Sequence, residues 1–201
     1  KVPIIQGGMG IGVSLSSLAG AVAKEGGMGV ISAAQPGFDR EEWKTHPLET
    51  NLKALGEHIK KAKERISGYI RRTPLWEEER LEEFVGCKLY LKPENLQLTG
   101  AFKIRGALNT ALSLSKEELE KGIITSSSGN HAQACAYVGR MLGIHATVVI
   151  PEDAPKVKIN NAKRMGAEVI LWDRSYDKRW EKVHEEEKLH GYIPIHPYEE
   201  P

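Results

Sequence analysis

The residue best placed for covalent chemistry is a lysine at the head of an apolar stripe. Lys103 follows Thr99-Gly100-Ala101-Phe102, and Phe102, Ile104, Ala107, Leu108, Ala111 and Leu112 recur at helical spacing on one face. Thr99 reads as an N-cap, which puts Lys103 in or beside the first turn. The electropositive start of a helix disfavours a cation. Desolvation by Phe102 would lower the pKa of the amine further, and a neutral amine attacks an aldehyde to form a Schiff base. The same spacing also describes an exposed lysine near a helix start.

A second chemical stretch is Ser127-Ser128-Gly129-Asn130-His131-Ala132-Gln133, between an apolar strand at 122–126 and a helix ending near Gly143. Small hydroxyls, a glycine and an amide at a strand-to-helix turn can cradle an anion or polar ligand. An ordinary capped helix start uses the same residues. Gly7-Gly8-Met9-Gly10, after the apolar run 2–6, poses the same choice between an approach for phosphate or flavin and a tight turn. Cys87 and Cys135 have no metal-ligand spacing and read as small reduced core residues. The seven histidines are scattered, and His184 and His190 flank an acidic helix without a metal pattern, so no metal site is expected.

The elements that must position these residues alternate strand and helix. Strands are predicted at 2–6, 29–33, 88–91, 122–126, 146–150, 168–172 and 192–196. Helices are predicted from Ser14 to about Glu25, Pro47 to about Arg71, Thr99 through Leu112, about His131 to Gly143, Pro155 to Gly166 and Ser175 to His190. The apolar positions of the second include Leu48, Leu52, Leu55, Ile59, Ala62 and Ile66. Trp76-Glu77-Glu78-Glu79-Arg80 reads as a charged helix face. The expected fold class is α/β: a three-layer sandwich, flavodoxin- or Rossmann-like, whose mostly parallel sheet of about seven strands carries helices on both faces. One domain, 1–201, would join segments 1–63 and 64–201. With 28 basic and 27 acidic residues the net charge is +1, which suggests neither a nucleic-acid nor a membrane partner. No apolar run approaches the roughly 20 residues that span a bilayer, and a cytoplasmic location is expected.

The wording of two segments is more specific than their spacing. Leu91-Lys92-Pro93-Glu94-Asn95-Leu96-Gln97 with Thr99-Gly100-Ala101-Phe102-Lys103-Ile104-Arg105-Gly106-Ala107 resembles the cofactor-lysine segment of threonine dehydratases. With serine racemases, these are pyridoxal-phosphate enzymes of the tryptophan-synthase-β-like fold. Arg72-Thr73-Pro74-Leu75, Ser127 to Gln133 and Ile195-His196-Pro197-Tyr198 extend the resemblance over residues 62–201. It implies that Lys103 carries the cofactor, with Phe102 and Asn130 also binding it, Asn130 at the pyridoxal 3-oxygen. It implies Ser128 as a second acid/base, and Ser127, Gly129 and His131 at the substrate. Ala101 stands where the family often has serine. The family's glycine-rich phosphate-binding loop lies beyond Glu200-Pro201, so cofactor affinity is expected to be weakened.

Pro3-Ile4-Ile5-Gln6-Gly7-Gly8-Met9-Gly10 with Gly26-Gly27-Met28-Gly29-Val30-Ile31-Ser32 resembles the start of nitronate monooxygenases, which are FMN-dependent (β/α)8 barrels. The later barrel strands, which bind the phosphate and supply the catalytic histidine, have no counterpart, so FMN is not expected. The two resemblances meet at Lys60-Lys61-Ala62-Lys63-Glu64-Arg65-Ile66, inside the helix that starts at Pro47. The expectation is a chimeric scaffold, engineered or recombined, without efficient activity and with no cofactor bound. The alternative is a pyridoxal-phosphate-dependent threonine or serine dehydratase fragment that retains cofactor binding through Lys103. No specific partner is expected, and the chain would be a monomer or a segment-exchanged homodimer.

Overall fold

In the computed structural model, residues 40–197 are described, and they fall into two compact units. The predicted strands at 2–6 and 29–33, the helix from Ser14 and the glycines at 7–10 lie outside the described residues.

The first unit contains a 3-10 turn at Glu41–Lys44 and most of helix α1 (Pro47–Ile66). It also holds strand β1 (Trp76–Glu77), helix α2 (Glu79–Val85) and strand β2 (Tyr90–Leu91). Helix α1 stops at Ile66 and not at Arg71, because Gly68 takes a left-handed φ of 89° that ends the helical path. Of its predicted apolar positions, Leu48, Leu52 and Ile59 are exposed, Leu55 and Ala62 half-buried and Ile66 buried, while Ala54, which was not among them, is fully buried. Trp76–Glu77 is a strand and not part of a charged helix. It pairs antiparallel with Tyr90–Leu91, and the Glu78 amide donates to Leu89 O to prolong the ladder. Cys87 is half-buried, just past the left-handed Gly86 that closes α2, and so is not a core residue.

The second unit is built on a four-stranded, all-parallel sheet: β3 (Ile123–Ser126), β4 (Ala146–Pro151), β5 (Glu168–Trp172) and β6 (Ile193–Pro194), in the order β5-β4-β3-β6. It also carries α3 (Lys103–Ala111), α4 (Lys116–Lys121), α5 (Asn130–Leu142), α6 (Lys156–Arg164) and α7 (Tyr176–His190). The strand count is smaller than the seven predicted. Four of the seven form this sheet, 88–91 is the β2 of the other unit, and two lie outside the described residues.

Alternation along the strands sorts the helices into two layers. Ile123, Val148 and Ile150 face α3, α5 and α6 through Ile104, Leu108, Cys135, Ala132, Ala136 and Ala162. Ile124 and Val149 face the other way, onto Val183 of α7. The result is a helix–sheet–helix sandwich, as expected for strands buried on both faces. Burying Ile104 or Leu108, both fully inaccessible, contributes on the order of 1.5–3 kcal/mol each. The alanines of α5 let it lie close to both α3 and the sheet.

Candidate functional site

The order β5-β4-β3-β6 contains a reversal. From β3 the chain moves outward through α5, β4, α6 and β5 with its helices on one face. It then returns over the other face by α7 to β6, on the far side of β3. In open α/β sheets the crevice at the carboxyl ends of strands flanking such a reversal is where ligands bind. Here those ends are Ser126-Ser127, leaving β3, and Ile195-His196-Pro197, leaving β6. The two are held in register by the Ile195 amide donating to Ile124 O.

Lys103 enters this crevice from α3. It is the first residue of the helix, as its spacing suggested, but Thr99 is not the cap. Its hydroxyl donates to Ala101 O at 3.3 Å, and Phe102 stands at the cap position with no side-chain hydrogen bond. Gly100, at φ 68°, turns the chain between the two. Phe102 is 44% exposed and so leaves the buried stripe, although its ring lies 5.4 Å from Lys103 Nζ. Ile104, Ala107, Leu108 and Ala111 are buried as predicted and anchor α3. Arg105 fixes the same turn through two hydrogen bonds of 2.9 Å to the Glu94 carboxylate.

The Lys103 amine is half-buried and donates to Pro197 O at 2.7 Å. Burial pushes its pKa below that of an ordinary lysine, partly opposed by the neighbouring Cys135. His131, on the first turn of α5, is buried, and its Nε2 lies 3.1 Å from Ile195 O and 3.5 Å from Cys135 Sγ. A carbonyl can only accept, so Nε2 carries the proton and the ring is the neutral Nε2–H tautomer. Desolvation holds its pKa down to about 4; the Ile195 hydrogen bond opposes this, while charge on Lys103 and His196 adds to it.

The turn between β3 and α5 carries the remaining predicted residues. Ser127 Oγ accepts from the Gly129 amide at 3.2 Å, and the Ser127 amide donates to Val149 O. Ser127, Ser128 and Gly129 are half-buried and Asn130 is exposed. A Cβ built on Gly129 would meet nothing within 4 Å, so the turn is open on that side. Thr125, on the α5 face of β3, is wholly buried and its hydroxyl has no hydrogen-bond partner among the described residues. Lys103, His131 and Cys135 are therefore brought together, with Ser127 to Asn130 on the turn leading into His131. The carbonyls of Ile195 and Pro197 were not foreseen, since a backbone acceptor leaves no mark in residue type. Cys135 could have been, because it lies four residues after His131, on the same helical face. Among the described residues no cluster of His, Cys, Asp or Glu could hold a metal ion, and no helix is long and apolar enough to cross a membrane.

Residues 66–201 match the family described as pyridoxal-phosphate dependent enzyme, and residues 1–62 match nitronate monooxygenase. The L-threonine ammonia-lyase of Geobacter sulfurreducens is 41% identical over 143 residues, which cover 71% of this chain and 36% of the relative. The serine racemase of Dictyostelium discoideum is 43% identical over 141 residues, covering 70% and 44%. Its crystal structure superposes with a TM-score of 0.66 over 70% of this chain and 46% of that one. The processed form of threonine deaminase isoform 2 from Solanum lycopersicum superposes with a TM-score of 0.65 at 33% identity, over 72% and 41%. This chain thus spans less than half the length of these relatives.

Proposed function

We propose a function from the premise that this chain belongs to the pyridoxal-phosphate dependent enzyme family, which its residues 66–201 match. Lys103 anchors pyridoxal phosphate through its amine, and the chain corresponds to the amino-terminal part of an ammonia-lyase or racemase acting on small hydroxy-amino acids. One observation carries this reading: the amine is half-buried, its pKa lowered by that burial, at the carboxyl ends of β3 and β6.

The donor set suits such a cofactor. It offers an amine for the aldehyde, the Ser127 and Ser128 hydroxyls, the open Gly129 backbone and the exposed Asn130 amide. The buried Thr125 hydroxyl has bonding capacity to spare. Phe102 and Asn130 would hold the ring, Ser127 and Gly129 the substrate carboxylate, and Ser128 would be a second acid/base. Bound there, pyridoxal phosphate supplies the electron sink for the α-carbon of an amino acid. Lys103 Nζ, freed when the amino group of the substrate takes its place on the cofactor, would be the base that takes the α-proton, a role its lowered pKa suits. His131 turns its ring inward to Ile195 O, so it supports the site from behind.

A second reading is favoured by a different observation. The nitronate monooxygenase match ends at residue 62 and the pyridoxal-phosphate match begins at 66, both within the single helix α1. On this reading two enzyme segments, recombined or engineered, share a helix and form a scaffold without efficient turnover. Supplying the full chain with pyridoxal phosphate and L-threonine separates the two. Formation of 2-oxobutyrate that disappears in Lys103→Ala supports the lyase. A reducible adduct on Lys103 without turnover supports the scaffold with a surviving lysine site, and the absence of any adduct overturns the cofactor role.

A further inference from the structure

Two side chains from different helices grip the same three residues of backbone. Lys103 of α3 donates to Pro197 O, and His131 of α5 donates to Ile195 O, two residues earlier. Ile195 and Pro197 are themselves buried, and Ile195 is tied on its other side to Ile124 of β3. We infer that His131 is a positioning residue for Lys103, holding the Ile195–His196–Pro197 strap across the amine and so setting its shelter from water.

The geometry supports this in three ways. The carbonyl acceptor fixes the Nε2–H tautomer of His131, so the strap is held by a donor that cannot exchange roles without breaking the bond. The imidazole is buried and neutral across the physiological range, so this bond does not switch with modest acidification. Burial is the largest influence on the Lys103 amine, and the strap is part of what buries it. Among the described residues, Cys135 of α5 acts on the amine, and charge on Lys103 and on His196 of the strap acts on His131.

The inference deepens the proposed role of Lys103, but its test reads the amine and needs no cofactor. The full chain is labelled briefly with acetic anhydride between pH 6 and 11, and acetylation of Lys103 is followed by peptide mass spectrometry. In the parent chain Lys103 should label slowly, with a midpoint below those of exposed lysines. His131→Ala should release the strap, raising the plateau rate several-fold and moving the midpoint upward by about half a pH unit or more as water reaches the amine. His131→Gln, whose Nε2 can reach Ile195 O, should restore the parent profile. Pro197→Gly loosens the strap with His131 intact and should repeat the Ala result, which covers the case in which His131→Ala does not fold. Unchanged profiles in folded His131→Ala and Pro197→Gly, or no restoration by Gln, would overturn the inference. If the profiles shift as expected but no pyridoxal phosphate adduct forms, the strap stands and only the cofactor role fails.

Discussion

Lys103 and His131 are both bases that burial drives toward their neutral forms, and for His131 the consequence is a pH-dependent stability. Its ordinary pKa of 6.5 is held down to about 4 in the fold. Between those values the unfolded chain binds the proton and the folded one does not. Stability is therefore fully present above about pH 6.5 and declines as the pH falls toward 4. The loss over that window is about 3 kcal/mol, since each pKa unit is worth 1.36 kcal/mol. Urea unfolding of the full chain should show its midpoint falling between pH 7 and pH 4.5, and His131→Gln should flatten that decline. An equal decline in the variant would show that other groups cause it. The place of Lys103 at the head of α3 was legible from the apolar stripe that follows it. Its restraint was not, since Pro197 and Ile195 act through carbonyls that every residue possesses.

Helix α5 shows how an element is specified by what it lies against. Gly139 sits where α5 crosses the start of β4, and a Cβ there would come within 2.5 Å of Ala146 Cβ and 3.2 Å of Ile144 O. Gly106, on α3, has nothing within 4 Å of the same position. Alanine in a helix interior gains up to about 1 kcal/mol over glycine, while overpacking costs about 1–3 kcal/mol. Gly106→Ala should therefore stabilise by up to about 1 kcal/mol, and Gly139→Ala should destabilise by about 1–2 kcal/mol, as read from denaturant midpoints. A stabilised Gly139→Ala would mean that α5 does not approach β4 so closely. The parallel strands and helices α5 to α7 were legible from apolar runs of strand length and from Gly143 and Gly191, which close two helices in left-handed conformations. Two elements were missed for opposite reasons. Helix α4 announces itself by Ser115 and Glu118, which form a reciprocal capping box, and was overlooked. Strand β1 has only Trp76 and Glu77, whose pairing with Tyr90–Leu91 no local pattern encodes.

Across the whole molecule, burial is unevenly shared between the two units, each taken by itself. In the second, β3 and most of β4 are inaccessible and sandwiched by helices. In the first, α2 has no buried residue and Phe84 is 83% exposed. Local opening costs little where few apolar contacts are lost. Amide hydrogen exchange should be fast across Glu79–Val85 and slowest in β3 and β4, and equal protection of the two would contradict this picture. The family matches divide the chain within α1, so retention of a cofactor lysine by the second unit is the question on which the functional account turns. The most direct measurement is the site of covalent attachment: the full chain is incubated with a slight excess of pyridoxal phosphate, reduced with borohydride and mapped by peptide mass spectrometry. The account predicts one adduct, on the peptide containing Lys103 and absent from Lys103→Ala. Adducts scattered over the surface lysines, with Lys103 no more modified than the rest, would contradict it.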